Sequence, residues 1–106
     1  MSDSPHPVPP VGIVATAQEA SDALEQIQEA ERLGIAAAWM TTGGTRADAL
    51  TIFAAALART ERIVLGSCSV PTWPRHPVLL AQQVRALEEI SPGRFRLGIG
   101  PGHEPG

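Results

Sequence analysis

A chain of 106 residues holds one ordinary domain, and 43% hydrophobic with 18% charged residues fits a soluble globular fold rather than a disordered one. The formal charge of −3 argues against nucleic acid or an anionic membrane as partner, and no apolar run nears the roughly 18 residues of a membrane span. Cys68 is the only cysteine and His6, His76 and His103 lack short ligand spacing, so neither a disulfide nor a metal site is expected.

Residues 1–10 carry four prolines and no apolar core of a secretory signal, which reads as a disordered tail ahead of a domain over 11–106, with the cytoplasm as the default address. Val11 to Ala15 is a run of strand length. Ala20, Leu24, Ile27, Ala30 and Leu33 then form one apolar stripe, which predicts a helix. Either Ser21 or a Thr16–Glu19 capping box starts it, and Gly34 ends it. Ile35 to Met40 is apolar without alternation, as a parallel strand covered on both faces would be. After the loop Thr41 to Thr45, Asp48 is a candidate N-cap for a second helix with Leu50, Phe53, Ala54 and Leu57 on one face.

Ile63 to Val70 predicts a third strand. A proline-rich loop leads to Pro77, placed for the first turn of a helix with Leu80, Ala81, Val84 and Leu87 on one face. Ser91-Pro92-Gly93-Arg94 breaks that helix, and Phe95, Leu97 and Ile99 alternate with Arg96, Gly98 and Gly100 in a fourth strand. The order β-α-β-α-β-α-β predicts a parallel α/β sheet with right-handed crossovers. Strand starts lie 24 to 32 residues apart, so eight such units would need roughly 250 residues, the size of a TIM (β/α)8 barrel. The expected fold is the first half of that barrel, four βα-type units with parallel strands in the order 1-2-3-4. A flavodoxin-like open sheet is the alternative.

Ligands of parallel α/β folds bind beyond the carboxyl ends of the strands. Here those ends are rich in small, hydroxyl-bearing or glycine residues, which let a flat ring or a phosphate approach the backbone, though each could be an ordinary turn. Gly98-x-Gly100-x-Gly102 is not a dinucleotide loop, because it follows the fourth strand and no helix pattern opens after it. Gly98 and Gly100 would share a strand face with Arg96, emptying a barrel mouth or merely relieving crowding between strands.

Arg62 to Pro77, Leu80-Ala81-Gln82-Gln83 and Ser91 to Gly100 together resemble the strand-3 and strand-4 segments of the bacterial-luciferase-like superfamily. Trp39-Met40-Thr41-Thr42-Gly43-Gly44 is similar to the strand-2 end of its deazaflavin (coenzyme F420) subgroup. The resemblance implies an oxidoreductase that moves a hydride to or from F420 or FMN on a small-molecule substrate. F420 is preferred because the strand-2 motif and an Arg-only, Ala-rich, GC-codon composition point to organisms that make it. It implies cofactor contacts from Thr42, Ser67, Cys68, Ser69, Gly100 and Gly102, and a cis peptide between Cys68 and Ser69 at a strand-3 bulge. Some F420 dehydrogenases carry an Asp-His pair where this chain has Thr42-Gly43, and a glutamate where it has His103. His103 is therefore the acid/base candidate. Trp73 and His76 are candidates for the substrate side, or for filling a gap and capping a helix. With four of eight strands, the chain is expected to self-associate or to pair with a C-terminal half-barrel. The alternative is a non-catalytic half-barrel remnant or association module.

Overall fold

The computed structural model describes residues 11–15, 19–41, 47–68, 70–71 and 75–100. The expected tail, 1–10, lies outside them. The described chain runs β1 (Gly12–Val14), α1 (Ala20–Arg32), β2 (Ala37–Met40), α2 (Ala49–Arg59), β3 (Val64–Ser67), β4 (Val70–Pro71), α3 (Pro77–Ile90), β5 (Phe95–Arg96) and β6 (Ile99–Gly100).

β1, β2, β3 and β5 form one sheet in that spatial order, every pair parallel. β1 lies at the edge, whereas a flavodoxin-like sheet would place it between its neighbours; the barrel order is the one observed. Registers set Ile13, Ala38, Leu65 and Phe95 in one row across the sheet. That row packs with Ala23 and Ile27 of α1, Leu50, Phe53 and Leu57 of α2, and Leu87 of α3 in a single core. The Phe53 and Phe95 rings meet at 5.9 Å between centroids and 57° between planes, a tilted aromatic contact.

The next row turns the other way. Trp39 pairs in register with Val14 and Gly66, and Val14 is 60% exposed. A Cβ on Gly66 would lie 2.1 Å from the Trp39 ring, so the glycine is what lets the indole lie flat across the sheet on the face away from the core.

Local signals set most boundaries. Gly34 ends α1 with φ +81°, the left-handed geometry of a C′ glycine. Asp48 caps α2, its Oδ2 accepting from Thr51 N at 3.0 Å and from Thr51 Oγ1 at 2.8 Å. Pro77 occupies the first turn of α3. α1 departs from expectation: its N-cap is Glu19, with no side-chain capping bond, and Ser21 lies inside the first turn. Its buried stripe is Ala23, Ile27 and Ala30, while Leu33 is exposed past the helix end. On α3 only Leu87 is fully buried, and Ala81 is exposed; the helix packs on α2, and Leu80, Ala81 and Val84 line an open groove with Phe95, Leu97 and Ile99.

The amino ends of the strands are tied by two charged side chains. Glu31 on α1 accepts from three consecutive backbone N–H groups before β3: Glu61 at 2.9 Å, Arg62 at 2.6 Å and Ile63 at 3.0 Å. Burial would raise the pKa of its carboxyl, but those bonds and the nearby Arg62 charge outweigh it and hold the pKa below the usual value. Arg94 gathers the carbonyls of Thr60 and Ile63 at 3.0 Å each and bonds the Thr60 and Ser91 hydroxyls, which closes the end of α2 against the entry to β5.

Candidate active site

Two neighbouring strands break at the carboxyl end of the sheet. The third and fourth strands, expected to be continuous, are each divided, and the pieces β4 and β6 form a separate parallel pair. Gly66 pairs with Arg96 and Val70 with Ile99, so the third strand spends four residues where the fourth spends three. That one extra residue between Gly66 and Val70 makes a bulge in the third strand, and it interrupts the ladder.

Ser67 repairs the interruption. Its hydroxyl donates to Gly98 O at 2.9 Å and accepts from Gly98 N at 2.8 Å, standing in for the missing strand-to-strand bonds. Gly98 O also accepts from Val70 N at 2.8 Å. Gly98 has no side chain because a Cβ would lie 2.3 Å from the Ser67 carbonyl oxygen. The glycine is thus a close-packing position, which agrees with the crowding interpretation for Gly98.

Ser67, expected to touch a cofactor, is 1% exposed with its hydroxyl engaged twice by Gly98. Cys68 is exposed at the rim while its backbone N–H is held by Met40 O at 2.8 Å. Gly100 is partly exposed at the end of β6. His76 is the N-cap of α3, its Nδ1 accepting from Val78 N at 3.1 Å. Thr42, Ser69, Trp73, Gly102 and His103 lie outside the described residues, and with Ser69 the Cys68–Ser69 peptide. Among the described residues no group of three or more His, Cys, Asp or Glu could hold a metal ion. Among the described residues the rim is made of small side chains: Thr41 follows β2, Cys68 follows β3 and Gly100 ends β6.

Sequence reasoning did not single out Arg75. Its guanidinium pairs with Asp48 Oδ1 and donates from Nη1 to Gln83 Oε1 at 2.8 Å. Burial would raise the pKa of the Asp48 carboxyl, but the bonds from Arg75 and Thr51 and the Arg75 charge outweigh it and lower it. Its place in the strand-3 motif was the available signal; its partner, 27 residues earlier, was not legible.

The family profile described as luciferase-like monooxygenase matches residues 6–105. The chain belongs to the luciferase-like monooxygenase family. Within that family it is 45% identical over 65 residues to an F420-dependent glucose-6-phosphate dehydrogenase of Beutenbergia cavernae, covering 60% of this chain and 19% of that protein. It is 38% identical over 84 residues to limonene 1,2-monooxygenase of Rhodococcus erythropolis, covering 74% and 22%. Among solved structures, the oxygenating constituent of 3,6-diketocamphane monooxygenase from Pseudomonas putida, a complex with FMN, superposes with a TM-score of 0.81 at 21% identity, covering 91% of this chain and 30% of that one. This last likeness shows the luciferase-like fold. The chain spans about a fifth of the length of these two curated relatives.

Proposed function

We propose that this chain supplies the first four strands of an F420-dependent oxidoreductase, with the cofactor ring held at the carboxyl rim of the sheet beside the strand-3 bulge. The observation that carries the reading is the 45% identity over 65 residues to an F420-dependent dehydrogenase. When bound, F420 supplies hydride chemistry without activating oxygen. The chain's own part is to hold the rim: Ser67 and Gly98 fix the bulge, and Thr42, Cys68, Ser69, Gly100 and Gly102 are the positions from which the ring would be contacted. His103 is the proposed proton donor or acceptor for the substrate, since an imidazole titrates near neutrality. Trp73 would line the substrate side, and His76 would join it through the edge its capping bond leaves free. This assignment carries a cytoplasmic address.

FMN with oxygen activation is the second reading, favoured by the 38% identity to limonene 1,2-monooxygenase. Under either reading the remaining strands come from a C-terminal half-barrel or a second copy. An apolar groove lined by Leu80, Val84, Phe95, Leu97 and Ile99 beside α3 supports that partnership. A non-catalytic association module would keep the groove and lose the cofactor.

Fluorescence titration of the chain with F420 and with FMN, alone and with a matching C-terminal half, separates these readings. Saturable F420 binding in the reconstituted barrel is expected. FMN binding without F420 binding would move the assignment to the oxygenase reading, and binding of neither would leave the association module.

A further inference from the structure

We propose that Arg75 is a positioning residue for the cofactor rim, a clamp that fixes the start of α3 against the start of α2. The proposal rests on the cofactor reading above. Its basis is one planar guanidinium that joins three parts of the chain. One nitrogen pairs with Asp48, the cap of α2, and another donates to Gln83 in the second turn of α3 at 2.8 Å. Arg75 itself stands just before α3.

The position of the clamp gives it a role. α2 follows the carboxyl end of β2 and α3 follows that of β4, so the two helix starts that Arg75 joins are fed by the two loops leaving the rim. Shielding distinguishes this pair from the others. The side chains of Arg75 and Asp48 are 13% and 27% exposed, against 73% and 51% for Arg32–Glu29 and 80% and 66% for Arg85–Glu89. Those two pairs lie within single helices; among the described residues only Arg75–Asp48 joins separate elements by an ion pair. Exposed pairs along a helix hold little, whereas a shielded fork shared by two acceptors fixes a geometry. A lysine would meet Asp48 as a point charge and lacks the planar two-nitrogen fork that here serves Asp48 and Gln83 together. A displacement of about 1 Å in how a reactant is held can cost on the order of a hundredfold in rate.

The test compares the full chain with Arg75→Gln, Arg75→Lys and Gln83→Glu by hydrogen exchange and by F420 and FMN titration. In the cofactor-free protein, Arg75→Gln is expected to speed exchange roughly tenfold at residues 47–51 and 75–80 while Ala38 and Leu65 keep their protection. The dissociation constant of the cofactor bound by the wild type is expected to rise about tenfold or more in the same variant. Arg75→Lys should recover part of both losses, and Gln83→Glu, which keeps the acceptor, should match the wild type. Unchanged exchange in Arg75→Gln overturns the clamp whatever the cofactor result. Faster exchange with unchanged affinity overturns the positioning role. A wild type that binds neither cofactor overturns the cofactor reading and the positioning role with it, while the exchange data still decide whether Arg75 restrains the two helix starts.

Discussion

Ser67 and Glu31 show how single side chains complete backbone bonding where the secondary structure leaves groups unpaired. Ser67→Ala would strip the Gly98 N–H of its partner in a site 1% exposed at Ser67. Orphaning a buried donor costs about 1–3 kcal/mol, and a loss of that size in urea unfolding is expected. A loss below a few tenths of a kcal/mol would mean that the strand pair closes by itself. Glu31 gives a pH prediction. Its folded pKa lies below its unfolded value, so its stabilisation is present above the unfolded pKa and is lost as pH falls through the folded one. The stability gap between wild type and Glu31→Gln should therefore stay constant near neutrality and close on acidification. Unfolding at about pH 7, 5 and 3 checks this. A gap that widened in acid would contradict the bonding described.

Elements are joined here through glycines whose missing side chains have different neighbours. An alanine at Gly66 would meet the Trp39 indole, a side chain on the open face that can swing away. An alanine at Gly98 would meet the Ser67 carbonyl oxygen, which can move only with the strand. Gly98→Ala should accordingly destabilise more than Gly66→Ala, which itself should cost about 1–3 kcal/mol as overpacking does. Gly66→Ala should also shift tryptophan emission as the indole is displaced. Equal losses in the two variants would show that the bulge yields as easily as a side chain. At this scale the sequence was legible wherever a residue acts through its own local preference: Gly34, Asp48 and Pro77 punctuate the helices as expected. The start of α1 was not, because Glu19 caps it with backbone alone, which no side-chain signature marks.

For the whole molecule the question is what covers the two sheet edges and the groove beside α3. Leu97 and Ile99 are 41% and 56% exposed there, and apolar surface of this kind favours association. The chain is expected to sediment as concentration-dependent oligomers in the micromolar range, and Leu97→Lys with Ile99→Lys should shift it toward monomer. A monodisperse wild-type monomer would show that these edges are tolerated in water.

The sequence by itself determined the α/β order, the parallel sheet and the luciferase-like family. Hydrophobic period, capping residues and two motif blocks are local properties, written in consecutive positions. Tertiary structure alone decided the rest. Ser67 and Gly98 lie 31 positions apart, as do Glu31 and Arg62, and Asp48 and Arg75 lie 27 apart. A hydroxyl that mends a bulge and a guanidinium that bonds the cap of α2 and a side chain of α3 acquire their partners only through folding, and no local pattern encodes them.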